Sequence, residues 1–174
     1  MIELVLSSVP IDEAPAIMAL APFYEDQRPL KGSVGLIDWR LNGKISDLLL
    51  KDRINGQLAD SLMMPSDGRL SAKHIFIFGL GKNTQLKPEE FDSIFPLLIK
   101  KIVKLKSCDL VMSFGDLARD FMGWRSLLRS FVTSLALQHG RDNYRVICSE
   151  NTKWVQEAKR RNMDFGADVA VSYA

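Results

Sequence analysis

Apolar positions along this chain follow two rhythms. Short unbroken apolar runs alternate with longer stretches in which apolar residues return every three or four positions. The first rhythm marks buried strands and the second marks helices with one face turned inward. Ile2 to Leu6 reads as a first strand, and Ala16 to Ala21 as a strand that resumes after it. Prolines 10, 15, 22 and 29 break the segment around the second strand into short pieces. Ser33 to Leu41 reads as a short helix stopped at Asn42-Gly43, and Ile45 to Leu50 as a second helix with Ser46 as its N-cap. Ser61 to Met64 is a short strand, closed by the turn Pro65-Ser66-Asp67-Gly68.

The strongest strand signal is His74 to Phe78, reading HIFIF. It is aromatic and β-branched, suited to a strand covered on both faces, and is ended by glycine. Pro88 opens a long helix through Lys106, with Glu89 and Glu90 favouring its positive end. Cys108 to Phe114 is a further strand. Gly123 to His139 is a helix with a broad apolar face, and Asn143 to Cys148 is another strand. Asn151 or Thr152 caps a last helix through Asn162, and the apolar tail FGADVAVSYA either docks on the domain or meets a partner. Strands separated by helices imply right-handed crossovers. The expected fold class is therefore α/β, a three-layer α/β/α arrangement around a mixed, mostly parallel sheet. No repeat, low-complexity stretch or linker divides residues 1–174, so a single domain is expected.

Composition changes this picture little. A chain of 174 residues can bury a sizeable core, and a formal net charge of +2 does not by itself call for nucleic acid. Two cysteines in apolar settings suit buried thiols in a reducing, cytoplasmic compartment. The N-terminal MIELVLSSVP lacks a basic leader, and no window is apolar enough for a membrane span.

Candidate chemistry is sparse. Gly79-Leu80-Gly81-Lys82-Asn83 is a glycine-rich turn after a buried strand, a place where backbone N–H groups can meet a phosphate. Its spacing is only GxG, with Thr84 where a dinucleotide fingerprint needs its third glycine, so a structural turn is favoured. Lys100, Lys101 and Lys104 lie on one helix and could contact nucleic-acid phosphates. The solvated face of an amphipathic helix is the favoured reading. Trp39 and Trp124 are candidate interface aromatics, Trp39 the better because it sits between Asp38 and Arg40. His74 and His139 lack the ligand spacing of a metal site, no GxSxG is present, and neither cysteine has a histidine partner in sequence. No catalytic residue, metal or cofactor is expected.

The run from Gly32 to Lys82 carries the further clue. Its order is a helix with a G-x-x-D pattern, an N-G turn, a second apolar stretch, a short strand, a turn, and a buried strand ending in GLGK. This order resembles the non-catalytic N-terminal domain of the leucyl aminopeptidase family over about residues 1 to 165. The resemblance implies a macro-domain-like fold, a place beside a two-metal peptidase, and in some members contact with DNA. The two segments that bind the family's metals, resembling VGKG-TFD-GG and NTDAEGR, do not occur in this sequence. The expectation is a stand-alone, catalytically silent domain acting as an interaction, regulatory or assembly module. Its expected partners are a second copy or a catalytic aminopeptidase subunit. The alternatives are a binder of a nucleotide or ADP-ribose-like ligand and a DNA-binding accessory protein.

Overall fold

A computed structural model of the chain describes residues 1–82 and 86–174. Its sheet is built from β1 (Ile2–Ser7), β2 (Met18–Phe23), β3 (Ser61–Pro65), β4 (His74–Gly79), β5 (Asp109–Met112), β6 (Tyr144–Ser149) and β7 (Val169–Tyr173). The helices are α1 (Gly32–Arg40), α2 (Lys44–Leu50), α3 (Phe91–Lys104), α4 (Phe121–Gln138) and α5 (Thr152–Arg161). The strands lie in the order β3-β4-β2-β5-β6-β1-β7. Among the described residues only β3 runs antiparallel to its neighbour; every other pairing is parallel. The mixed, mostly parallel α/β sheet is the one the alternation of patterns implies.

The strand period of two sorts side chains onto two faces. Phe76 and Phe78 of β4 join Leu110 and Met112 of β5 in a large core beneath α3, α4 and α5. Ile75 and Ile77 face the other way, with Ala19, Ala21 and Val111, against Val34 and Ile37 of α1 and Ile45 of α2. The first core is aromatic at its centre. Phe95, Phe114 and Phe131 meet edge to face with centroids 5.1–6.2 Å apart, geometry that adds to their area burial.

Several boundaries differ from the sequence reading for local reasons. The residue capping α2 is Gly43 at φ +77°, and Ser46 lies inside the helix. The cap is supplied instead by Asp38, whose buried carboxylate accepts from the N–H groups of Ile45 and Ser46 at 2.7 and 3.1 Å. Helix α4 starts two residues before Gly123, because the Asp120 carboxylate caps it by accepting from the Gly123 N–H at 2.7 Å. Pro88 opens a single 3-10 turn ahead of α3. The tail docks: β7 adds to β1 as the last strand, from Ile2 opposite Val169 to Leu6 opposite Tyr173.

Candidate functional site

In a doubly wound sheet, ligands favour the carboxyl ends of strands where successive connections leave in opposite directions. Here that point lies between β2 and β5. The chain leaves β2 for α1 on one face, and leaves β5 for α4 on the other. Pairing between β2 and β5 ends at Ala19, so the sheet parts beyond it, and Pro22, which has no N–H to pair, lies in the parted stretch. A cavity of about 140 Å³ results, lined by Pro22, Tyr24, Gly32, Ser33, Ser113 and Asp116. A shallower space of about 520 Å³ continues from it past Lys87, Arg119 and Asp120.

Helix α1 begins here with a weak start of its own. Its capping residue is Lys31, whose side chain cannot accept a hydrogen bond, so the first N–H groups lack a local partner. Asp116, in the turn after β5, fills the gap: its Oδ2 accepts from the Ser33 N–H at 2.7 Å. The same carboxylate lies against Gly32, where a Cβ would come within 2.7 Å of it. A helix N-terminus facing a crevice is a natural anion site, and in this chain its own carboxylate occupies it.

Behind that turn lies Glu150, 7% exposed, at the end of β6. Its carboxylate accepts from the N–H groups of Phe114 and Gly115 at 2.7 and 2.9 Å and so holds the turn that carries Asp116. Burial pushes its carboxyl up to about 7, against the pull of those two N–H donors. Tyr24, nearly buried on the cavity wall, has its phenol pushed up to about 12 by burial first and by Asp26 second. It is a neutral hydrogen-bonding group across the ordinary pH range.

The residues singled out from sequence do not assemble at this crevice. Gly79, Leu80 and Gly81 form a structural turn whose N–H groups are committed to the carbonyls of Asp60, Phe23 and Gly56 at 2.7–2.9 Å. They are not free to hold a phosphate. Lys82 is exposed beyond the turn, and Asn83 lies outside the described residues. Trp124 is fully buried, stacked near Phe121 and Trp154 with centroids 5.3 and 5.7 Å away, so it offers no surface to a partner. On α4 it is turned into the core against Trp154 of α5, although Arg119, Asp120 and Met122 beside it are exposed. Trp39 is 69% exposed with the Arg40 guanidinium over its ring at 5.1 Å. Lys101 is turned away from solvent: its Nζ donates to the Ala59 carbonyl and Ser61 Oγ, both at 2.8 Å. Lys100 and Lys104 are exposed.

Among the described residues, no group of three or more histidine, cysteine, aspartate or glutamate side chains could hold a metal ion. The described residues therefore do not fit the two-metal centre of the peptidase family that the sequence resembles. No helix among the described residues is long and apolar enough to cross a membrane. The residues missed in sequence are Asp116, Glu150 and Tyr24. The available signal was an acid shortly after each of two buried strands: Glu150 directly follows β6, and Asp116 lies four positions past β5.

Comparison with known proteins agrees with this architecture. The sequence profile described as the cytosol aminopeptidase family, N-terminal domain, matches residues 21–145. A probable cytosol aminopeptidase of Sulfurihydrogenibium sp. (strain YO3AOP1) is 26% identical over 110 residues, covering 63% of this chain and 22% of that protein. A probable cytosol aminopeptidase of Pseudomonas aeruginosa (strain UCBPP-PA14) is 24% identical over 147 residues, covering 84% of this chain and 29% of that protein. This chain thus spans between a fifth and a third of the length of those two relatives. Among solved structures, a tomato leucine aminopeptidase variant superposes with a TM-score of 0.60 at 10% identity, over 91% of this chain and 35% of that one. A Trypanosoma brucei macrodomain in complex with ADP-ribose superposes with a TM-score of 0.67 at 13% identity, over 92% of this chain and 69% of that one. At those identities the likeness is one of fold.

Proposed function

This chain belongs to the N-terminal domain of the cytosol aminopeptidase family, and from that premise we propose that it acts as a non-catalytic interaction and assembly module for a peptidase. The observation that carries the reading is that the backbone donors beside the crevice are already committed within the chain. Asp116 takes the anion position at α1, and the Gly79–Gly81 turn spends its N–H groups on its own chain. What the domain offers a partner is its surface, including the exposed Trp39. The protein should be mixed with a purified cytosol aminopeptidase catalytic subunit, and both sedimentation and leucine p-nitroanilide turnover followed. A complex, or a changed assembly state of the subunit, supports the reading. Turnover by this protein alone, with manganese or zinc added, would refute it.

A second reading is a small-molecule site, favoured by the space beside the crevice where Lys87 and Arg119 stand at the carboxyl ends of the strands. One structural relative is a macrodomain in complex with ADP-ribose, which makes that compound the probe of choice. A rise in melting temperature with ADP-ribose, absent in Arg119→Ala, would favour this reading over the first.

A further inference from the structure

The two edges of the sheet are treated differently by the chain. At the β3 edge, Pro65 removes a backbone donor, and the Lys101 ammonium sits on the Ala59 carbonyl and Ser61 hydroxyl. Proline and lysine on an edge block the addition of further strands. At the other edge, β7 reads VAVSY, with no charge and no proline.

The register fixes which backbone groups of β7 are unused. The Ile2 N–H donates to the Asp168 carbonyl and the Ala174 N–H to the Leu6 carbonyl, so the even-numbered residues of β7 face β1. Val169, Val171 and Tyr173 therefore direct their backbone outward. The Val169 N–H is satisfied by the Gly166 carbonyl at 3.2 Å. The N–H groups of Val171 and Tyr173, and the carbonyls of all three residues, meet no strand among the described residues.

This row is complementary to itself. Antiparallel ladders place hydrogen-bonded residues two apart, so a twofold axis at Val171 sets Val171 against Val171 of a second copy. Val169 of each copy then faces Tyr173 of the other. The Val171 pair exchanges N–H and carbonyl, and each Tyr173 N–H finds a Val169 carbonyl across the seam. The side chains agree with the backbone. Val169, Val171 and Tyr173 pack half-buried against the α3–α5 core, and an axis perpendicular to the sheet keeps both sets on that face. The Val–Tyr cross-strand pairs are of the favourable β-branched–aromatic kind. A net charge of +2 puts little repulsion between copies.

We propose that β7 is a homodimer seam at which two copies join their sheets antiparallel through Val171. The proposal deepens the interaction reading above by naming a second copy as the partner of this edge.

Light-scattering-coupled size exclusion from micromolar to millimolar protein tests it with two variants. Val171→Pro removes an outward N–H that β1 does not use, and should give a monomer with the wild-type circular dichroism spectrum. Val171→Cys places two thiols across the axis at the Cα separation a disulfide accepts, and should oxidise to a covalent dimer, whereas Val169→Cys should not. A wild-type protein that stays monomeric, a dimeric Val171→Pro, or a Val171→Cys that links no faster than the native Cys108 and Cys148 would overturn it. A monomer that still binds an aminopeptidase subunit would sink the seam and leave the interaction reading standing. A dimer indifferent to such subunits would do the reverse.

Discussion

Asp116 and Ser33, separated by 83 positions in the chain, meet at 2.7 Å where the carboxylate of one caps the helix begun by the other. The contact ties the β5–α4 turn to the N-terminus of α1 across the mouth of the crevice. It also gives the helix end a fixed internal anion, which competes with any anion from solution.

Removing that carboxylate should therefore do two things. Asp116→Ala loses a remote N-cap, at a cost of about 1 kcal/mol. It also frees an anion position, so its melting temperature should rise with added phosphate while that of the wild type does not. Paired thermal melts across a phosphate series check both. A wild-type protein that responds to phosphate as strongly as the variant would show that Asp116 does not block the site.

Glu150 gives stability a distinctive pH dependence. Its carboxyl is raised by burial to about 7 in the folded protein from an ordinary value of 4.5. The folded state therefore holds the proton more tightly than the unfolded state between those values. Stability from this group is fully present below about pH 4.5 and is lost as pH rises toward 7, a total of roughly 3 kcal/mol. The groups facing it are the Phe114 and Gly115 N–H donors, the Trp124 indole N–H, the Ser113 hydroxyl at 3.5 Å, the Asp116 carboxylate, and the Cys148 thiol, itself raised by burial and then by Glu150. Glu157 acts in another window: its two arginine partners hold it at about 2, so its contribution is lost only as pH falls below 4.5. Urea midpoints should decline between pH 5 and 7 for the wild type and stay level for Glu150→Gln.

The two glycines of the GLG turn should respond very differently to alanine. A Cβ on Gly79 would lie 2.1 Å from the Gln57 carbonyl oxygen and 2.6 Å from the Gly56 carbonyl carbon, both backbone atoms. Gly81 has φ +76°, but its nearest neighbours would be at 3.7–3.8 Å. Gly79→Ala should cost roughly 4 kcal/mol or more, a large share of a small domain's stability. Gly81→Ala should cost roughly 1–2 kcal/mol from the left-handed backbone alone. Chemical denaturation of both variants decides, and equal costs would mean that the turn is not held by the Gly56–Gln57 backbone.

How much of this was legible beforehand follows the range of each interaction. The strand at His74–Phe78 and the helices from Pro88 onward are legible because their signals lie within a few neighbouring residues. The GLG turn, too, is recognisable as structural from its spacing. Caps and burial set by distant partners are not. Ser46 fits the local rule for an N-cap, yet Asp38, one helix earlier, does the capping. Trp124 sits near an exposed stretch, and its burial depends on Phe121 and on Trp154, thirty positions away. The crevice itself, where Asp116 meets Ser33, has no spacing rule that could announce it.

Lys101 shows the same contrast and can be tested for it. In sequence it is one of three lysines on α3, equivalent to Lys100 and Lys104 as a phosphate ligand. In the fold its ammonium bridges the Ala59 carbonyl and the Ser61 hydroxyl at 2.8 Å, tying α3 to the start of β3. Hydrogen bonds from a charged donor each carry about 1.5–3 kcal/mol when sheltered, and this pair is partly exposed. Lys101→Ala should therefore cost roughly 1–2 kcal/mol, while Lys100→Ala and Lys104→Ala should each fall within about 0.5 kcal/mol of the wild type. Nucleic acid supplies the second readout. If α3 were a DNA-binding face, Lys100→Ala/Lys104→Ala would lower the slope of log affinity against log salt by roughly 2, one for each phosphate no longer neutralised. The expected outcome is no measurable salt-dependent binding by either protein. Fluorescence anisotropy with a labelled duplex at two salt concentrations is sufficient, and a steep wild-type slope that the double variant flattens would restore the DNA-binding alternative.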